Sequence, residues 1–361
     1  MRLEARADTD WRTGLRCGVG AVLAVAAIAA ALVATAGAPV GPTFVLMAQG
    51  AFGSVFAISE TLTRAIPLLF TSLAATVAFR ARLFNIGAEG QLYAGAMAAV
   101  ALGEAAAGWP VALAFPLMLA AAAMAGALLL LGPALMKQSW GVDEVVSTLL
   151  LNFIVLLGVG ALLDGPLKDP AAMGWPQSVA LPDSLTLSKL IAQTRVHTGL
   201  LIGIGAALAL WVLLSFTRLG FDIRALGANA RAAAFAGVPV LRTTLWVALL
   251  SGGLAGLAGA VEVAGRTGYV TLDMSPGYGY TGIVIAMLAG LHPLAVVAAS
   301  VGVAAVLVGA DSMSRAVGVP TYLADAVVAS ALLAVLVASM LARYRLRLDR
   351  RAPRPSQPVR R

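Results

Sequence analysis

Long apolar runs, separated by short polar segments, occupy most of the chain. A helix needs about 20 apolar residues to cross the hydrocarbon core of a bilayer, so each run predicts a transmembrane helix. Ten runs meet this description, namely residues 15–37, 61–79, 86–106, 109–136, 143–163, 197–216, 242–264, 279–291, 293–311 and 322–342. The predicted fold is therefore all-α, a polytopic transmembrane helical bundle of about ten spans.

Two apolar stretches are less regular than the others. Residues 279–291 are short and contain glycines, so this run predicts a helix that crosses only part of the bilayer. Residues 43–58 are interrupted by four residues, Gln49, Gly50, Gly53 and Ser54. We expect this second stretch to form an interfacial or re-entrant helix rather than a full span.

The amino-acid composition indicates a membrane protein. Of the 361 residues, 60% are hydrophobic and 12% are charged, whereas soluble domains carry about 25% charged residues. The mean hydropathy is +0.91. A chain this apolar lacks the polar surface that water requires, which indicates an integral membrane protein.

The lysines and arginines are distributed unevenly between alternate loops. If the N-terminus lies in the cytoplasm and each predicted helix crosses once, 19 of the 25 basic residues fall on the cytoplasmic side. Basic residues favour that side, so the sequence predicts an N-in and C-in topology with an even number of spans. Residues 1–14 would then be a cytoplasmic segment, residues 15–342 the transmembrane domain, and residues 343–361 a basic cytoplasmic tail without fixed structure.

The net charge of +8 does not by itself indicate nucleic-acid binding. Much of it lies in the tail, beside the last apolar run. A basic tail at this position is typical of contact with anionic lipid headgroups. We therefore expect membrane lipid, and no nucleic acid, as its partner.

The sequence lacks the residue sets that several kinds of site require. Cys17 is the only cysteine, which excludes an internal disulfide, and His197 and His292 have no metal-ligand spacing. No GxxxxGK[ST] phosphate-binding loop occurs, and no nucleophile–base set for a membrane-embedded enzyme is evident. We expect no cofactor, no metal and no ATP hydrolysis by this chain itself.

Two longer polar segments lie between apolar runs. Residues 164–196 form an outer loop with four prolines that is long enough to contact a partner outside the membrane. In the inner segment, residues 217–241, the pattern predicts a helix over residues 221–236, because Gly237 and Pro239 are typical residues just past a helix end.

The inner helix carries a pattern suited to binding another protein. Arg224 and Arg231 are seven residues apart, two helical turns, and so share a face. Ala232 and Ala233 make part of a surface with little side-chain bulk. Such a surface could enter a groove on a partner protein, while the arginines pair with acidic residues at the rim of that groove. An ordinary connecting loop that satisfies the inside charge preference is the alternative, and the residues alone leave both open.

The stretch RLFNIGAEGQL, residues 82–92, is unusually polar for its apolar surroundings. Asn85 is a favourable N-cap, and Glu89 would lie in the first turn of the following helix. One interpretation is a capped helix that begins at the inner membrane surface. The other is a broken helix that begins near the midplane, with Asn85, Glu89 and Gln91 facing the path of a polar solute.

Other polar and small residues have structural interpretations. Glu60 and Arg64 are four residues apart and could pair on one helix. Structural roles near predicted span ends are also expected for Asp143, Glu144 and Glu262. Gly252 and Gly256 are four residues apart, as are Ala255 and Gly259. Small residues at this spacing permit close helix packing in lipid, within one subunit or, less favoured, between subunits.

Several motifs, in order, resemble those of ABC importer permeases. GFDIRALGANARAAAFAGV and SGGLAGLAGAVE resemble the cytoplasmic coupling segment and the next helix, and FNIGAEGQ resembles the signature after the second helix. GVDEVVSTLLLNF and GYGYTGIVIAMLAGLHP are similar as well. The resemblance covers most of residues 60–340. It is to the branch that handles nucleosides and simple sugars, related to ribose and branched-chain amino-acid permeases.

The resemblance implies a membrane permease subunit in a bacterial-type plasma membrane. It implies three kinds of partner: a cytoplasmic ABC ATPase, an extracytoplasmic solute-binding protein, and a second permease subunit that is often a non-identical paralogue. It also implies that the ATPase contacts the inner segment, with candidate residues Arg224, Ala225, Gly227, Asn229, Arg231, Ala232, Ala233 and Gly237.

An ion-coupled secondary transporter of a small polar solute is the alternative function. Ten helices would suit such a protein. No acidic pair, however, lies clearly in the middle of a predicted span, where a proton or sodium site usually needs one. The sequence therefore favours the importer.

Overall fold

The computed structural model describes residues 2–5, 11–37, 39–318 and 321–347. Apart from two short strands, the regular elements of this part of the chain are helical. The main helices are α1 (Trp11–Thr35), α2 (Val40–Phe52), α3 (Val55–Arg80), α4 (Ala88–Ala105), α5 (Val111–Trp140), α6 (Glu144–Asp164), α7 (Gly199–Phe216), α8 (Arg218–Ala228), α9 (Ala230–Phe235), α10 (Val240–Glu262), α11 (Tyr278–Leu288), α12 (Pro293–Val317) and α13 (Thr321–Arg343).

Six helices within the described ranges are long and apolar enough to cross a membrane: α3, α5, α6, α7, α10 with its continuation to Thr267, and α12. The segments Leu23–Thr35 and Val40–Phe52 form a pair bent by 117°, as a broken span or a re-entrant loop would be. α11 is apolar but only 11 residues long. These features agree with a polytopic helical bundle.

The two ends of the described chain lie side by side. Strand β1 (Arg2–Ala5) pairs antiparallel with strand β2 (Tyr344–Arg347), which directly follows α13. The expectation of a tail without fixed structure is therefore wrong for residues 344–347, because backbone pairing with β1 orders them. The rest of the predicted tail, residues 348–361, lies outside the described residues.

α10 lies at the centre of the bundle and packs against α3, α4 and α5. A Cβ atom built on Gly252 would lie 2.4 Å from the Gly126 carbonyl oxygen, and one on Gly256 would lie 2.2 Å from that of Ala122. At Gly259 the corresponding distance, to the Leu92 carbonyl, is 2.0 Å. These three glycines thus allow backbone-to-backbone contact between helices of the same chain.

The outer loop is folded against the end of α10. The Leu187 N–H donates to the Ala264 carbonyl at 2.8 Å, and the Leu181 N–H donates to the Gly268 carbonyl at 2.7 Å. Leu181 and Leu185, which belong to the loop, are buried. The loop therefore forms a fixed cover on this end of the bundle, in addition to any surface it offers to a partner.

Candidate functional site

The polar stretch that follows α3 begins the site. Asn85 was expected to cap α4, and this prediction is wrong because the helix begins later, with Gly87 at the N-cap and no side-chain cap bond. Asn85 Oδ1 instead accepts the Gly87 N–H at 3.0 Å, in the turn that precedes the helix. Glu89 does lie in the first turn of α4, as predicted.

Asn85 and Gln91 form a reciprocal pair of side-chain amides. Asn85 Nδ2 donates to Gln91 Oε1 at 2.8 Å, and Gln91 Nε2 donates to Asn85 Oδ1 at 3.0 Å. Asn85 Nδ2 also donates to Ser251 Oγ on α10, and that hydroxyl donates to the Ala74 carbonyl on α3. With the Gly87 bond, the two donor and two acceptor positions of Asn85 are all used.

A row of polar side chains on α6 holds the backbone of the same stretch. Glu144, Thr148 and Asn152 are four residues apart, so they share one face of the helix. They accept the N–H groups of Phe84 at 3.3 Å, Ile86 at 3.2 Å and Gly90 at 2.8 Å, respectively. Residues between helices leave backbone groups unpaired inside lipid, and this row of side chains satisfies them.

The depth of the α4 start can be measured along its neighbours. Asn152 lies eight residues, about 12 Å, along α6 from Glu144 at the helix start. On α3, Thr71 Oγ1 donates to the Tyr278 carbonyl at 3.0 Å, while Arg80 Nε donates to the Leu291 carbonyl at 2.8 Å. Thr71 and Arg80 are nine residues, about 14 Å, apart along α3. The first measurement places the start of α4 well inside the bundle, and the second places the start of α11 there.

The N-termini of α4 and α11 meet at this depth. A Cβ atom on Gly279 would lie 2.3 Å from the Glu89 nitrogen, so the two first turns are in contact. Glu89 Oε2 accepts the Gly279 N–H at 2.6 Å, and the Glu89 side chain is buried. The carboxylate thus lies at the N-terminal ends of two helices, whose dipoles favour a negative charge and offset part of the cost of burying it.

The sequence predicted three of these residues and missed the rest. Asn85, Glu89 and Gln91 are all buried and hydrogen-bonded within the protein. Thr148 and Asn152 were not identified, although polar residues at every fourth position of an apolar helix were a usable signal. Ser251 and the Gly279 N–H gave no such signal, because their roles depend on contacts between distant segments.

The ion pairs differ from the one expected. The predicted pair of Glu60 with Arg64 is wrong, because Asp311 on α12 lies opposite Arg64, with Nη1 and Oδ2 2.6 Å apart. Glu60 instead pairs with Arg195 of the outer loop at 3.5 Å. Glu262 pairs with Arg266 one turn later, at 2.6 Å.

The charged start of α6 has the structural role that was expected of it. Asp143 caps the helix by accepting the Val145 N–H at 2.8 Å. Glu144, in the first turn, pairs with Lys137 at the end of α5. These contacts tie α5, α6 and the stretch after α3 together.

The inner segment forms two helices rather than the single one predicted over residues 221–236. α8 ends at Ala228 and α9 begins at Ala230. Asn229 breaks the helix because its backbone is extended there and its Oδ1 accepts the N–H groups of Arg231 at 3.0 Å and Ala232 at 3.1 Å. Arg224 and Arg231 therefore lie on different helices. Gly237 ends the segment with a left-handed φ of +86°.

Only some of the candidate coupling residues are exposed. Phe235 is 98% exposed, and Phe221, Ala236 and the candidate Gly237 are exposed as well. We name eight exposed residues around the break between the two helices the coupling surface: Arg224, Ala228, Asn229, Ala230, Arg231, Ala232, Ala234 and Phe235. Ala225 is half-buried and Ala233 is buried. Gly227 packs against α3, where a Cβ atom would lie 1.8 Å from the Arg80 carbonyl oxygen. Gly227 and Ala233 therefore fix the segment to the bundle.

Comparisons with known proteins identify relatives over most of the chain. The family model for the permease component of the branched-chain amino acid transport system matches residues 57–336. The glucose ABC transporter permease protein TsgB13 of Haloferax volcanii is 37% identical over 310 residues, which cover 82% of this chain and 81% of that protein. The guanosine ABC transporter permease protein NupP of Bacillus subtilis is 33% identical over 317 residues, which cover 87% and 91%.

A third relative extends the same pattern. The nucleoside ABC transporter permease protein NupB of Lactococcus lactis is 28% identical over 295 residues, which cover 80% of this chain and 81% of that protein. The family match over residues 57–336 includes nearly all of α3 and the whole of α4 to α12, and with them both the meeting helix N-termini and the coupling surface. The chain therefore belongs to the family described as branched-chain amino acid transport system, permease component, and is a permease subunit of an ABC transporter.

Proposed function

We propose that this permease forms part of the import path for a nucleoside or a simple sugar, and that separate ATPase subunits drive it. The protein is a multi-pass protein of the plasma (inner) membrane. The relatives named above carry the words glucose, guanosine and nucleoside, which support this solute class.

The coupling surface is the observation that carries the proposal. Phe235 is almost fully exposed although burial of a phenylalanine in a partner is favourable. Arg224 and Arg231, also exposed, flank the break between α8 and α9. We infer that an ATPase groove receives Phe235 and that acids at its rim pair with the arginines. ATP hydrolysis then belongs to that partner, and this chain transmits the movement.

We propose ten crossings with N-in and C-in topology. Pairing of β1 with β2 supports an even number, because it holds both ends of the described chain on one side of the bundle. The α4 and α11 crossings then begin inside the bundle, each after an irregular stretch. Helices that begin at membrane depth around a solute site recur in transporters. In this arrangement Asn85, Glu89 and Gln91 hold the two helix starts in position beside the path.

The remaining partners follow from the same arrangement. We propose that a solute-binding protein docks over the outer loop, and that a second permease subunit, a non-identical paralogue, completes the path. Exposed apolar residues on α6, such as Phe153 and Leu157, face lipid or that second subunit.

The test substitutes the residue at the centre of the coupling surface. Phe235→Ala is expected to lower co-purification of the ATPase and solute-stimulated ATP hydrolysis at least several-fold, since truncating a buried interface anchor costs about 2 kcal/mol or more. Phe52→Ala, which truncates a phenylalanine of α2 that is 61% exposed, is the matched control and should leave ATPase binding unchanged. Uptake of glucose and guanosine is measured in proteoliposomes with the complete complex.

Two results would contradict the proposal. Full ATPase binding and uptake in Phe235→Ala would show that the coupling surface is not the ATPase contact. Uptake that survives ATP depletion and collapses with the ion gradient would instead identify an ion-coupled transporter.

A further inference from the structure

A cavity of about 580 Å³ lies between α2, α3 and α12, on the side of the bundle away from the coupling surface. Arg64 in its wall is seven residues, about 10 Å, further from the inner end of α3 than Thr71. Its volume falls within the range of sites that bind small molecules. Its ionisable lining residues are Glu60, Arg64, Arg195, Arg266, Asp311 and Arg315.

Most of these charges are paired, and the pairs leave a small positive excess. Arg64 pairs with Asp311 and Arg195 with Glu60, while Arg266 pairs with Glu262 behind the wall. Arg315 has no acidic partner within the described ranges. Charged side chains within a membrane-spanning bundle face a water-filled space rather than lipid, because their exposure to hydrocarbon is strongly unfavourable. The cavity is therefore a wet site that disfavours cationic solutes.

Two polar atoms in the wall keep unused hydrogen-bonding capacity. Arg64 Nε and Glu60 Oε1 are buried without a partner, and the two residues lie one helical turn apart on α3. One atom is a donor and the other an acceptor. Rotation of the two side chains would turn both atoms toward the cavity, where a hydroxyl group can serve both, since it donates one hydrogen bond and accepts others. Apolar wall residues such as Leu46, Phe56 and Val308 leave room for the carbon face of a ring.

The cavity adjoins another one beside the outer loop. A second cavity of about 450 Å³, lined by outer-side residues such as Trp175, Tyr269 and Asp273, shares Arg195 and Arg266 with the first. The two arginines therefore stand between the outer surface and the deeper cavity. A solute released above the outer loop would pass them before it reached Arg64 and Asp311.

We propose that the deeper cavity is a solute-binding site of this subunit, and that it takes an uncharged polyhydroxylated ring, a hexose or the ribose of a nucleoside. Glu60 and the Arg64–Asp311 pair bind the ring hydroxyls. Arg195 and Arg266 line the route to it from outside. The inference rests on the proposed function and assigns solute contact to these residues rather than to Asn85, Glu89 and Gln91.

Protection of a single thiol tests the site directly. Cys17 is the only native cysteine, so Cys17→Ser permits one cysteine to be placed at will. Gln49→Cys places it in the cavity wall at an exposed position, and Ser184→Cys places it on the exposed outer loop as the matched control. Complexes in proteoliposomes are labelled from outside with a membrane-impermeant maleimide, with glucose, guanosine or neither present.

Glucose or guanosine is expected to slow labelling at position 49 several-fold and to leave position 184 unchanged. Adding Asp311→Asn to the Gln49→Cys protein should remove the protection while ATPase co-purification persists. Undiminished labelling at position 49, in a preparation that imports either solute, would overturn the site and leave the proposed function standing. Stronger protection by glucose 6-phosphate than by glucose would overturn the uncharged class. Failure of the Cys17→Ser protein to import either solute would count against the proposed function itself.

Discussion

Close packing of α10 against α5 gives the sharpest stability prediction. A Cβ atom on Gly256 would lie 2.2 Å from the Ala122 carbonyl oxygen, whereas ordinary contacts begin near 3.4 Å. Gly256→Ala therefore requires a separation of about 1 Å between backbones that have no flexible side chain to yield. Overpacking of this kind costs about 1–3 kcal/mol.

Gly253→Ala is the matched control, because it changes the same helix by the same atom. Its Cβ would lie 3.6 Å from the Ala123 carbonyl oxygen, an ordinary contact. Replacing glycine with alanine inside a helix gains up to about 1 kcal/mol from helix propensity, and both variants receive that gain. The two should therefore differ by about 1–3 kcal/mol in free energy of unfolding, with Gly256→Ala the less stable.

The measurement is unfolding of the purified complex in detergent, followed by tryptophan fluorescence and by retention of the ATPase. Thermal midpoints give the order of stability, and a denaturant titration gives the difference in free energy. Equal stability of the two variants would refute the reasoning, since it would show that α5 and α10 can separate without cost.

Two further predictions concern buried ionisable groups. Glu89→Gln should lower the free energy of unfolding by about 1 kcal/mol, since the glutamine oxygen can still accept the Gly279 N–H but lacks the charge that strengthens this bond. Glu104→Gln, at an exposed residue near the other end of α4, is the control and should change the free energy of unfolding by less than about 0.5 kcal/mol. Equal thermal midpoints of the two variants would contradict the role of Glu89. Burial, with a smaller contribution from the Arg266 charge, lowers the pKa of His197 from 6.5 to about 4. The unfolded chain then binds a proton that the folded chain does not, so stability should fall by up to about 1.4 kcal/mol per pH unit as pH drops from 6.5 to 4. His197→Gln should flatten this fall in stability at low pH. His292→Gln, the control at an exposed histidine, should leave the fall as it is. An unchanged dependence of stability on pH in His197→Gln would refute the role assigned to His197.

The inner segment, residues 217–241, shows which structural features a sequence pattern can predict. Gly237 was correctly expected to end the segment, since a left-handed residue there needs no contact from elsewhere. The break at Asn229 was also local, because asparagine readily caps a helix, but helix-compatible neighbours on both sides obscured it. The inward orientation of Gly227 could not be predicted, since it depends on the position of Arg80 at the end of α3.

The sequence by itself determined the membrane class, the approximate helix positions and the permease family. Each depends on short-range information: apolar runs long enough for a bilayer, basic residues at one set of ends, and motifs in order. The tertiary structure decided that Asn85 and Glu89 are buried inside the bundle, where Thr148 and Asn152 on α6 accept the N–H groups of the neighbouring Ile86 and Gly90.

The tertiary structure also decided which charges pair. Spacing allowed Glu60 to meet Arg64, yet Asp311 lies opposite Arg64 from almost 250 residues away in the chain. A buried charge takes the partner that the packed helices bring closest, whatever its distance in sequence. Burial of apolar side chains in lipid is a property of each segment, whereas ion pairs and helix depth are properties of the assembled bundle.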